Sequence, residues 1–190
     1  INKRPASIFS VWTVVYNDND SHGLHTIGAA ATNAAPPPPP LAAGMAATDG
    51  KVVVCTPKTM IQIMSTPYPI QLIEDVKNKQ VIFKAEENDV TRQIYLTSEH
   101  KANGAPSLMG YSTGVLDASR KKLTVTTSNV VGSPTTVYTE TFSISDDPRV
   151  LAEYRNRLNY TVKTSTNNTV QGRYYQYQPG ASVMTYGCKN

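Results

Sequence analysis

VTRQIYL, residues 90–96, alternates with the period of a β-strand. Val90, Arg92, Ile94 and Leu96 fall on one face and Thr91, Gln93 and Tyr95 on the other, because successive strand side chains point to opposite sides. One face is therefore apolar except for a guanidinium near its middle. An unpaired charge taken out of water is very costly, so an inward Arg92 calls for an acidic partner elsewhere in the chain. TVYTETFSIS, residues 136–145, offers one. The same count puts Tyr138, Glu140, Phe142 and Ile144 on one face, with a carboxylate among apolar neighbours. If both faces are interior, the economical arrangement is that Arg92 and Glu140 meet or share a hydrogen-bonded network.

The rest of the chain is read outward from these two strands. Short alternating runs occupy residues 8–16, 51–54, 70–74, 80–86, 109–116, 122–127, 157–165 and 170–177, with Asn, Asp, Gly and Pro in the gaps. That spacing marks an antiparallel barrel or sandwich. Strands in series with one apolar face each tend to close, since closure removes exposed edges. The expectation is an all-β, antiparallel, lipocalin-like barrel of about eight to ten strands, with an open β-sandwich as the alternative. One or two short helices are expected, at Pro57 to Met64 and at Pro148 to Arg155. The second has Asp147 ahead of a proline at its first helical position.

With 190 residues, 39% of them hydrophobic, the chain fits a single domain spanning residues 1–190. Residues 28–50 interrupt it with an Ala- and Pro-rich stretch holding Pro36 to Pro40, which favours polyproline II and reads as an exposed loop. The net charge is +4, but the 18 Lys and Arg are scattered. The longest basic run, Arg120-Lys121-Lys122, sits at an expected turn, which argues against nucleic acid as a partner. No apolar run approaches the roughly 20 residues of a membrane-spanning helix. The chain begins at Ile1, so the expectation is that a targeting segment has been removed and that the protein is periplasmic or secreted.

Cys55 and Cys188 stand far from each other and from metal-ligand spacing. In an oxidising compartment they would form one disulfide, worth about 4 to 5 kcal/mol in a chain-entropy model; two unpaired buried thiols are the alternative. His22, His25 and His100 lie in polar stretches that read as loops. Glu86, Glu87 and Asp89 read as a charged hairpin turn. No phosphate loop, HExxH, nucleophile elbow or CxxC is present, and no metal or cofactor is called for.

Two readings of the interior charges stay open. Arg92 and Glu140 form a structural ion pair, or they flank a cavity in which arginine binds a polar ligand and glutamate moves a proton. The leading expectation is a barrel holding a small apolar or amphipathic molecule, with Arg92, Tyr138, Glu140, Phe142 and Tyr111 lining its site. The rival is a cofactor-free lyase, isomerase or hydratase with Glu140 and Arg92 catalytic. A third is an interaction module that uses a sheet edge.

Cys55-Thr-Pro57, Pro67-Tyr-Pro69, Arg92-Gln-Ile-Tyr-Leu96, Gly110-Tyr-Ser-Thr-Gly114, Leu123-Thr-Val-Thr-Thr127, Thr139-Glu-Thr-Phe142, Asp147-Pro148 and Tyr186-Gly-Cys-Lys-Asn190 run in that order. Together they resemble a group of bacterial exported β-rich proteins of unknown function. That group's pattern has RQIYLDG, GHSxGxWEGDTLVV, a TERF strand, a DP turn and a final Cys-Glu-Asn. The resemblance spans residues 51–190 and implies export and a disulfide, with Arg92, Glu140 and both cysteines matching. This chain departs at Thr97-Ser98, Tyr111 and Ala118-Ser119-Arg120, where the pattern has Asp-Gly, His and Glu-Gly-Asp.

Overall fold

The computed structural model describes residues 4–15, 25–26, 55–97, 104–145 and 156–188. Ten strands form one sheet: β1 Val11–Val14, β2 His25–Thr26, β3 Ile70–Asp75, β4 Gln80–Ala85, β5 Val90–Tyr95, β6 Tyr111–Leu116, β7 Lys122–Ser128, β8 Tyr138–Ile144, β9 Arg157–Thr164 and β10 Asn167–Gln178. Their order is β1-β3-β4-β5-β6-β7-β8-β9-β10, and β1 pairs back onto β10. Nine strands thus close a barrel, while β2 pairs with the first half of β10, ahead of the stretch that holds β1. The all-β barrel expected from alternation is what forms.

An odd number of strands cannot close with every neighbour antiparallel. One pair must run parallel, and here it is β5 and β6, joined only at Ile94↔Ser112 and Tyr95↔Thr113. Every other pair of the closed circle is antiparallel, as expected. A parallel pair needs a long return rather than a tight turn, and residues 96–110 supply it. Within that return Gly110 takes φ +63, and a Cβ there would lie 2.5 Å from the Ser128 carbonyl oxygen. The return is pinned by Ser107 N–H to the Asn129 carbonyl at 3.1 Å and by Met60 N–H to the Leu108 carbonyl at 2.9 Å.

Every strand sends one face inward, as period-two alternation requires. Leu72, Phe83, Ile94, Leu123, Val125, Phe142, Leu158, Tyr160 and Tyr175 are all buried and belong to one core cluster. Trp12 is fully enclosed: its ring meets Tyr177 at 5.5 Å between centroids and its Nε1–H donates to the Ile8 carbonyl at 2.8 Å. The helix α1, Met60–Met64, forms inside the first of the expected segments and adds Met60, Ile63 and Met64 to the same core. The second expected helix and the proline-rich segment lie outside the described residues.

One local expectation changes. His25, read as a loop residue, has its backbone in β2. Glu86, Glu87 and Asp89 stand in the turn of the β4–β5 hairpin, as expected, with a 3-10 turn over Glu87–Asp89; Glu86 and Glu87 are buried, Glu86 beneath the chain's C-terminal segment and Glu87 beside Lys58. Arg120 sits at the β6–β7 turn with φ +59, pairs with Glu74 and lies over the Phe9 ring, so this basic run is tied into the surface.

Cys55 and Cys188 form a disulfide across 133 residues. Among the described residues no helix is long and apolar enough to cross a membrane.

Gly114 marks how closely β5 and β6 approach. A Cβ there would meet Ile94 Cγ2 at 2.9 Å and Leu123 Cδ1 at 3.1 Å. Gly114→Val should therefore lower stability by about 1–3 kcal/mol through overpacking, measured by denaturant unfolding, whereas substituting the outward Val115 with threonine should leave it nearly unchanged.

Candidate functional site

Arg92 sits on the inner face of β5 at 2% exposure and Glu140 on the inner face of β8 at 0%. They are not on neighbouring strands; β6 and β7 lie between them, and the pair spans the barrel interior. Arg92 Nη2 donates to Glu140 Oε2 at 2.5 Å and Nη1 to Oε1 at 3.2 Å, a two-pronged arrangement that suits a planar guanidinium and a carboxylate. The same Nη2 donates to Thr127 Oγ1 on β7 at 2.6 Å, and Nε donates to Ser112 Oγ on β6 at 3.0 Å. Tyr160 on β9 completes the set, its hydroxyl donating to Glu140 Oε1 at 2.9 Å. Thr127 Oγ1 is also 2.9 Å from Ser112 Oγ and donates to Glu140 Oε2 at 3.3 Å.

The result is one buried network with a member on each strand from β5 to β9. Both carboxylate oxygens hold two partners, and the guanidinium bonds through all three nitrogens. Burial pushes the Tyr160 hydroxyl well above its ordinary range, and the adjacent Glu140 charge adds to this against an opposing effect from Arg92. Tyr160 therefore stays protonated and serves as a fixed donor. Chemically, the arrangement holds charge in place. It leaves neither Glu140 oxygen open to a substrate, and the Phe142 ring beside it is packed against Tyr160 at 5.0 Å and Phe83 at 6.3 Å.

The other candidate residues divide by face. Tyr138 is inward and 8% exposed, its hydroxyl 2.8 Å from Ser133 Oγ. Tyr111 is not an interior residue: it alternates with Ser112, so it lies on the outer face, stacked on Tyr95 at 5.9 Å. Its hydroxyl is buried without a hydrogen-bond partner among the described residues, and burial followed by the nearness of Tyr95 raises its pKa. Sequence reasoning passed over Ser112, Thr127 and Tyr160, and also a second interior arginine. Arg173 on β10 donates through Nη1 to the carbonyls of Met64 and Thr66, at 2.8 and 2.7 Å, where α1 ends. The signal existed for Tyr160 and Arg173. Each shares strand phase with plainly apolar neighbours, Leu158 and Val162 for the first and Tyr175 for the second.

Among the described residues, clefts lie elsewhere. One of about 440 Å³ opens on the outer surface at the β5/β6 seam, between Leu96 and Thr97 on one side and Thr113, Gly114, Val115, Thr124 and Thr126 on the other. It has no charged residue. A smaller one, about 130 Å³, lies between Pro57, Lys58 and the 3-10 turn on one side and Leu108 and Met109 on the other. Among the described residues no cluster of His, Cys, Asp and Glu could hold a metal ion.

The 3-10 turn carries a second polar assembly, with the C-terminal segment laid along it. Met184 N–H donates to Glu86 Oε2 at 3.3 Å, Tyr186 N–H to Asp89 Oδ1 at 2.7 Å and Cys188 N–H to Asp89 Oδ2 at 2.8 Å. The Tyr186 hydroxyl donates to Glu86 Oε1 at 2.6 Å, and Lys58 Nζ donates to Glu87 Oε1 at 2.5 Å.

No protein-family model matches the chain, and no curated protein matches it in sequence.

The geometry makes two predictions. Removing one member of the buried pair leaves the other uncompensated, so Arg92→Met should cost about 3–5 kcal/mol. Combining it with Glu140→Gln should recover part of that loss in a double-mutant cycle read by urea unfolding. The second concerns Tyr186, pushed up to about 12 by its hydrogen bond to Glu86, by burial and by the Glu86 charge. A folded pKa above the unfolded value near 10 favours the neutral phenol in the folded state. Its stabilising contribution is complete below about pH 10 and is lost as pH rises towards about 12. Tyr186→Phe should flatten stability across that window, followed by unfolding at stepped alkaline pH.

Proposed function

We propose that this chain is a binding protein of an oxidising compartment, periplasmic or extracellular, that takes a small apolar or amphipathic molecule and performs no acid–base chemistry on it. The observation that carries the reading is the uncharged seam cleft, whose volume falls in the range of small-molecule sites. Leu96 and Val115 offer apolar contact, and the hydroxyls of Thr97, Thr113, Thr124 and Thr126 offer a few orienting hydrogen bonds. The site is then on the outer face of the barrel rather than inside it, and Arg92 is not its orienting group. The interior supports this choice. A catalytic Glu140 would have to shed partners from both oxygens before touching a substrate, at the cost of leaving Arg92 uncompensated. The disulfide supports the compartment, since such bonds persist where the environment is oxidising.

The test uses Nile red, a neutral apolar dye. Titrated into the protein, it should bind saturably with one site, and Val115→Asp should weaken binding by roughly tenfold or more, the effect of about 1.4 kcal/mol. Val76→Asp is the control, because Val76 and Val115 are equally exposed, at 74%, and Val76 lies away from the cleft. Absence of saturable binding, or equal effects of the two substitutions, refutes the assignment.

A further inference from the structure

We infer that Met184–Cys188 is a releasable strap held to the barrel by two independent locks, the Cys55–Cys188 disulfide and the carboxylates of Glu86 and Asp89. The inference does not depend on the seam cleft binding a ligand. It begins with how the segment is attached. Backbone N–H groups at 184, 186 and 188 reach the same turn, as alternate residues of an extended chain do. They and the Tyr186 hydroxyl occupy all four carboxylate oxygens of Glu86 and Asp89. Apolar burial contributes little, for Met184 is 61% exposed and Tyr186 37%. A segment held this way has no core contact to retain it once its polar and covalent ties are gone.

The turn is built to present those oxygens. Asn88 and Asp89 adopt φ of +58 and +51, a left-handed conformation that Asn and Asp tolerate better than other side chains. Asn88 is held from the other side by Nδ2–H donation to the Thr56 carbonyl at 2.6 Å, and Glu87 by Lys58. The turn thus grips both chain segments that the disulfide joins. The charged and titratable groups around the strap's carboxylates are Glu87 with Lys58, Tyr186, and Tyr68 beside it.

Opening the first lock is a thiol–disulfide exchange. A dithiol reductant gives up two electrons and two protons, becomes a disulfide itself and leaves Cys55 and Cys188 as thiols. Both cysteines are partly exposed, which gives a reductant access. The second lock still holds the strap after that step. Only loss of both frees it, and with it Asp89, a wall of the smaller cleft.

The experiment compares chymotrypsin cleavage at Tyr186 in the full chain under four conditions: wild type and the double variant Glu86→Ala with Asp89→Gly, each oxidised and reduced. The two substitutions remove all four acceptors, and glycine accepts the positive φ at 89 without strain. Cleavage should stay slow with either lock intact and rise by roughly tenfold or more when both are absent, since bonds to charged groups are the stronger kind. Reduced wild type cleaved as fast as the reduced double variant would show that the carboxylates are no lock. Slow cleavage in the reduced double variant would show that something else holds the segment. Cleavage spreading into the strands in that sample would make the segment part of the scaffold and overturn the strap.

Discussion

The guanidinium of Arg92 is the tie on which the closure of this barrel depends. At the β5/β6 seam the backbone ladder has only the pairs Ile94↔Ser112 and Tyr95↔Thr113. Arg92 crosses the seam at that level, bonding Ser112 on β6, Thr127 on β7 and Glu140 on β8, and Tyr160 extends the chain of bonds to β9. Side chains thereby supply connection where backbone pairing is thin. The cost of burying two charges is offset because each is met by several directed hydrogen bonds in a setting that water does not screen.

The seam follows from strand count. With nine strands in sequential order, one pair must be parallel, and a parallel pair requires a long return. The described end of that return, residues 104–110, runs past the end of β7, and its geometry demands glycine at Gly110. The same crowding bears on the inner face of β6, which carries Ser112, Gly114 and Leu116: Ile94, Leu123 and Leu96 crowd Gly114, and Arg92 bonds Ser112. Tyr111 and Val115 fall on the outer face, where the uncharged cleft lies at the seam.

The two polar assemblies do different work because of what surrounds them. The Arg92 network is enclosed by Phe83, Phe142 and Tyr160 and has the rigidity of a saturated core cluster. The Glu86 and Asp89 assembly lies at the surface, joined to an exposed terminal segment by hydrogen bonds and one reducible bond. Exchangeable chemistry belongs in the second place and not the first, since local opening there does not require the barrel to come apart.

Much of this was legible from residue order alone. Strand phase is local, so alternation placed Arg92 with Ile94 and Glu140 with Phe142 on inward faces, and a chain with two cysteines has one intramolecular pairing to offer. What only the tertiary structure decided was which strand meets which. Nothing local in VTRQIYL or GYSTGVL specifies a parallel partner; that comes from the number of strands in the closed circle. Tyr111 was expected to line the site, but strand phase puts it on the outer face of β6, stacked on Tyr95. Glu86 and Glu87 read as a charged hairpin turn and stand in one, yet nothing local shows that a segment about a hundred residues further along the chain covers Glu86. Periodicity tells which residues share a face; only packing between distant segments tells what that face meets.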